Sequence, residues 1–147
     1  MRIIADEMVS PKIVRTISDT VLTSGWLFES VITAKLRGRP DEDWIMAFAR
    51  SGGNVFVSAD QKMLKREALL SGISETGLIG IYLPSAWAGQ RRDEQLTHFI
   101  HWWIKIEATI QAATSGSAWV VPKGLGTGEL RQHKVMRNGR IQKTSTA

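Results

Sequence analysis

Short apolar runs alternate with helical periodicities along this chain. Arg2-Ile3-Ile4-Ala5 is apolar and stops on Asp6-Glu7, and Val55-Phe56-Val57-Ser58-Ala59, entered through Gly52-Gly53, stops on Asp60. Leu78 to Leu83 and Ala118 to Val121 are further runs, each closed by a proline, while Trp26 to Ile32 is a weaker one interrupted by Glu29 and Ser30. Runs of this length, rich in β-branched and aromatic residues, predict buried strands.

The intervening segments predict helices. Ser10-Pro11 reads as an N-cap and a first-turn proline, with Ile13, Val14, Ile17 and Val21 on one face and Gly25 as the stop. Asp41 after Pro40 is in N-cap position for a helix to Arg50 carrying Ile45, Phe48 and Ala49. Lys62 to Leu70 predicts a helix ending before Gly72. Arg91 to Ser115 predicts a long one with Leu96, Phe99, Ile100, Trp103, Ile106 and Ile110 as its buried stripe. In the adjacent pair Trp102-Trp103 one ring is expected to face away from the core. Five strands alternating with four helices imply an α/β fold: a mainly parallel sheet in a three-layer α/β/α arrangement.

Composition sharpens this picture at two points. The chain has no cysteine, which excludes disulfides, thiolate zinc sites and cysteine nucleophiles. The net charge of +5 is localised: residues 1–122 balance, whereas residues 123–147 carry Lys123, Arg131, Lys134, Arg137, Arg140 and Lys143 against Glu129 alone. The expected organisation is therefore a domain over 1–122 and a basic, flexible tail over 123–147, either merely solvated or an arm for nucleic acid or an acidic partner. No apolar run is long enough for a membrane helix and the N-terminus does not read as a leader, so no membrane association and a cytoplasmic location are expected.

The chemistry is expected where strands end in acid. If strands one and three are neighbours, Asp6 and Asp60 meet at the carboxyl edge of the sheet, the usual ligand crevice of open α/β folds, and Asp41 can lean over the same edge. Three carboxylates in one small volume raise one another's pKa unless a cation compensates, and hard oxygen ligands suit Mg2+ or Mn2+. Structural explanations stand beside this one: Asp41 as an N-cap, Glu42 and Asp43 as first-turn dipole acids, Asp60 as a cap for the helix after it. Lys35, Arg37 and Arg39, on alternate positions around Gly38, form a basic loop that is either a solvated connection or a phosphate contact.

Taken in order, Ile3-Ile4-Ala5-Asp6-Glu7, Ser10-Pro11 with its helix, Asp41-Glu42-Asp43-Trp44-Ile45 and Val55-Phe56-Val57-Ser58-Ala59-Asp60 resemble the PIN-like nuclease domains, close to the VapC-type toxins, over roughly residues 1–122. The resemblance implies a metal-dependent ribonuclease with Asp6, Asp41 and Asp60 as catalytic metal ligands. It makes Glu7 and Ser58 supporting residues, with Asp43 or Asp93 as a fourth carboxylate. Lys35, Arg37 and Arg39 would hold the RNA, and a cognate antitoxin and a homodimer would be the partners, with the Trp102-Trp103 helix or the tail as contact surfaces and Trp26, Trp87 or Trp102 as exposed apolar surface. Met8 departs from the pattern, standing where an asparagine is frequent. Two rival readings use the same features: a non-catalytic binding module on this fold, and a phospho-accepting receiver with Asp60 as acceptor and Ser85 as its hydroxyl. In the receiver, Asp41 has no role and the expected Lys-Pro is reversed as Pro122-Lys123. His98 and His101, three apart on the long helix, lack a third ligand and read as ordinary helix residues.

Overall fold

The computed structural model of the chain describes residues 1–34, 36, 38–137 and 140–141. The predicted strands appear as β1 (Arg2–Ala5), β2 (Leu27–Ser30), β3 (Val55–Ser58), β4 (Ile79–Tyr82) and β5 (Ala118–Val120). The main helices are α1 (Pro11–Thr20), α2 (Asp41–Arg50), α3 (Glu67–Thr76) and α4 (Arg92–Ala112). The sheet runs β2-β1-β3-β4-β5-β6; β1 to β5 are parallel, and β6 (Arg131–His133) is antiparallel to β5. A short hairpin, β7 (Met136–Arg137) and β8 (Arg140–Ile141), follows.

Alternation within the strands builds both hydrophobic layers. Ile3, Ala5, Val55 and Val57 pack with Ile13 and Ile17 of α1 and with Phe99, Trp103 and Ile106 of α4. Their strand neighbours Ile4 and Phe56 face the other way, onto Trp44, Ile45 and Phe48 of α2 and Leu70 and Ile73 of α3. Side chains of successive strand residues point to opposite faces, so strands buried on both sides read as continuous apolar runs. The result is the expected three-layer α/β/α fold, with β1 beside β3 at its centre.

The helix ends depart from expectation in three places. α1 has its Ser10 cap, whose Oγ accepts from Lys12 N at 3.2 Å, but stops at Thr20, and Gly25 belongs to the turn before β2. The helix expected over 62–70 is two pieces, a 3-10 turn over Gln61–Lys65 and then α3, which runs through Gly72 to a left-handed Gly77 at φ +87°. A left-handed stop is what favours glycine at the latter position. In α2 the N-cap is Pro40, and Asp41 is the first helical residue, making no side-chain cap bond.

The larger departure concerns the segment after 122. Trp102 and Trp103 are both buried, Trp103 among the core rings of Phe28 and Phe99 and Trp102 beneath residues 122–130, which lie along one flank of α4. Trp102 Nε1 donates to Gly124 O at 2.9 Å, His98 Nε2 donates to Pro122 O at 2.7 Å, His101 Nε2 donates to Gly126 O at 2.8 Å, and Lys105 pairs with Glu129 at 2.7 Å. Leu130 and Val135 are buried and β6 extends the sheet. Residues 123–135, expected to belong to the basic tail, pack on the domain here: two apolar anchors and a strand paired with β5 hold a segment of otherwise polar composition. Trp87 and Trp102, expected as exposed apolar surface for a partner, are in the core, and Trp26 is half-buried against it. Among the described residues no helix is long and apolar enough to cross a membrane.

Candidate active site

Asp6 follows β1 directly, and its N–H donates to Val57 O at 2.9 Å, extending the β1–β3 ladder by one bond. That bond delivers the carboxylate over the end of β3. Its Oδ2 accepts from Ser58 Oγ at 2.6 Å and from Ala59 N at 3.2 Å, and its Oδ1 accepts from Met8 N at 3.0 Å. The residue is only 4% exposed. Burial pushes its pKa up to about 6, against the three hydrogen bonds that favour the anion, and the nearby charge of Asp41 adds to the rise.

Asp60 sits two residues beyond β3 and is half-buried. Its Oδ1 accepts from Lys62 N at 3.0 Å, capping the 3-10 turn, while its own N–H donates to Ser58 Oγ at 3.0 Å. The Ser58 hydroxyl therefore links the backbone under one acid to the side chain of the other. Asp41 leans back along α2, where its Oδ1 accepts from Trp44 Nε1 at 3.1 Å. The cap reading of Asp60 holds together with its place at the edge; the cap reading of Asp41 does not.

The three carboxylates and Glu7 line one cavity of about 130 Å³, with Arg39 and Trp44 in its wall. Their charges converge: the buried Tyr82 phenol is held well above the usual range by burial first and then by Asp41, Asp6 and Asp60. Among the described residues no ion pair reaches any of these three acids. Asp43 is exposed and stays out of the cavity, since two helical positions place it about 200° around α2 from Asp41. Asp93 is at the start of α4, paired with Arg91 at 3.1 Å. Lys35 and Arg37 lie outside the described residues.

The donor set is all hard oxygen, and among the described residues no ion pair reaches its three aspartates, which suits a divalent cation. Yet among the described residues no three His, Asp or Glu side chains stand close enough to form a ready-made ion cage. Mg2+ commonly takes only one or two carboxylates and keeps its waters, so a shared acidic cavity without a cage is compatible with it. Sequence reasoning missed the supports: the Trp44 indole on Asp41, and the Met8 and Ala59 amides on Asp6. The Trp44 contact has a signal in its i+3 spacing from Asp41; the amide contacts have none, because any residue supplies an N–H. The Met8 amide bonds Asp6 whatever side chain stands there.

A family model described as PIN like domain matches residues 1–85, more than half of the chain, and the chain belongs to that family. No curated protein and no solved structure matches it. Residues 1–85 contain β1 to β4 and all four acids of the cavity.

Proposed function

We propose that the protein is a metal-dependent ribonuclease that hydrolyses RNA phosphodiesters at the β1–β3 edge, with Asp6, Asp41 and Asp60 holding Mg2+ or Mn2+ directly or through its waters. The observation that carries this reading is the single cavity lined by Asp6, Glu7, Asp41 and Asp60 with no cation paired to the three aspartates among the described residues. When bound, the ion would lower the pKa of a water and offset charge on the phosphoryl oxygens. Ser58 and the Met8 and Ala59 amides fix the Asp6 carboxylate, so that little reorganisation accompanies binding. Glu7, on the exposed side, can accept from a water at the cavity mouth. Arg39 lines the wall, which supports its proposed contact with the RNA backbone, and Lys35 and Arg37 are proposed to extend that contact.

The finer parts of the reading follow from the VapC-type resemblance: a cytoplasmic toxin, a cognate antitoxin as regulator and a homodimer. The absence of a closed ion cage among the described residues favours one alternative, a non-catalytic PIN-like module that binds RNA without cutting it. A cleavage assay on single-stranded RNA with Mn2+ or Mg2+ separates them. The wild type cuts and Asp60→Asn does not, although the amide oxygen of Asn can still cap Lys62 N and keep the fold; equal cleavage by both would overturn the assignment.

A further inference from the structure

The carboxyl edge of the sheet continues past the acids to a second cavity, of about 350 Å³, at the ends of β4 and β5. Its floor is apolar, made by Pro84, Val120, Val121 and Pro122; Gln61 and Ser85 give it polar groups, and Lys123 and Arg131 complete the lining. Asp60 lines the acid cavity and Gln61, the next residue, lines this one, so the two adjoin along one chain segment. Gln61 Nε2 donates to Leu83 O at 2.9 Å, which fixes the amide across the β3–β4 tips and leaves Oε1 as an acceptor.

Among the described residues the cations here pair with no acid. Lys123 and Arg131 are exposed, and among the described residues neither enters an ion pair; the one acid of residues 123–135, Glu129, is taken by Lys105. An RNA strand approaching Asp6, Asp41 and Asp60 meets repulsion, so its attraction has to come from cations beside these acids. Arg39 supplies this from the wall of the acid cavity, and Lys123 and Arg131 from the β5–β6 side. An apolar floor with an amide and a hydroxyl beside it, bordered by two cations, matches an unstacked nucleotide: the base on the floor, its phosphate at the cations.

We propose that this second cavity seats a nucleotide of single-stranded RNA next to the cleaved bond, with Lys123 and Arg131 as positioning residues for the strand. The placement beside a cleaved bond rests on the ribonuclease reading; binding in the cavity can be tested without cleavage. The experiment is an anisotropy titration of fluorescein-labelled oligouridylate with the full chain carrying Asp60→Asn, in EDTA, over a range of salt concentrations. The same chain with Lys123→Gln and Arg131→Gln added is titrated beside it, and both substitutions are at exposed positions. Losing two phosphate contacts should reduce the slope of log K against log salt by about 1.4 and weaken binding roughly tenfold at low salt. An unchanged slope and affinity would overturn the subsite and leave the ribonuclease reading standing. No RNA binding by the parent would overturn the subsite as well. A reduced slope together with no cleavage by the metal-supplied wild type would sustain the subsite and sink the nuclease.

Discussion

The tips of β1 and β3 carry the same sequence pattern, an apolar run ending in aspartate, and the fold turns them into different environments. Asp6 is sealed under Ser58, Ala59 and Met8, with its proton affinity raised by burial. Asp60 is half-exposed and tied to the backbone of the next turn through Lys62 N. The difference comes from one residue of reach: Asp6 directly follows its strand and stays in the ladder, whereas Ala59 separates Asp60 from β3. In a site where both work on one ion, the first is the costly, preorganised member and the second the accessible one.

The widest test of that contrast is activity. Asp6→Asn and Asp60→Asn should each lower RNA cleavage by more than the roughly hundredfold expected for loss of a supporting contact. They should differ in stability. The folded chain keeps the Asp6 proton up to about pH 6, whereas an ordinary aspartate near 3.8 has lost it, so between these values the folded state binds more protons and stability falls as pH rises. The loss is complete above pH 6 and amounts to roughly 3 kcal/mol. Urea titrations of the wild type from pH 4 to 7 should show this decline, Asp6→Asn should lack it, and Asp60→Asn should keep it. A wild-type stability that does not fall relative to Asp6→Asn across that range would contradict the burial account.

Smaller effects sharpen the same comparison. Ser58→Ala removes the hydroxyl that serves both acids and leaves the Asp60 amide without its acceptor, so a loss of about 1–3 kcal/mol is expected in chemical denaturation. A roughly ten- to hundredfold fall in cleavage should accompany it. Trp44→Phe removes the indole N–H from Asp41 and part of a ring buried against Phe56, so it should cost roughly 2 kcal/mol in the same denaturation experiment.

Much of this arrangement is legible in the chain. β1 and β3 are continuous apolar runs because both of their faces are covered, and Ser10-Pro11 marks a helix start that depends on local bonds alone. What is not legible depends on distant segments. Trp102 is buried because Gly124 and its neighbours cover it, and nothing in the composition of residues 123–130 announces that. α3 passes through Gly72, where a glycine in a helix is tolerated once packing outweighs propensity. The proximity of Asp6, Asp41 and Asp60 follows from strand order, which the alternation suggests but only the adjacency of β1 and β3 establishes. Asp43 shares Asp41's segment and still misses the cavity, since helical phase decides which first-turn acid reaches it.

The most direct test is isothermal calorimetry of Mn2+ binding at pH 7 to the wild type, Asp6→Asn and Asp60→Asn. The account predicts one site in the wild type that is lost or greatly weakened in both variants. Binding of equal strength in all three, or none in the wild type with and without RNA, would contradict the claim that the acids at these two strand tips share one ion.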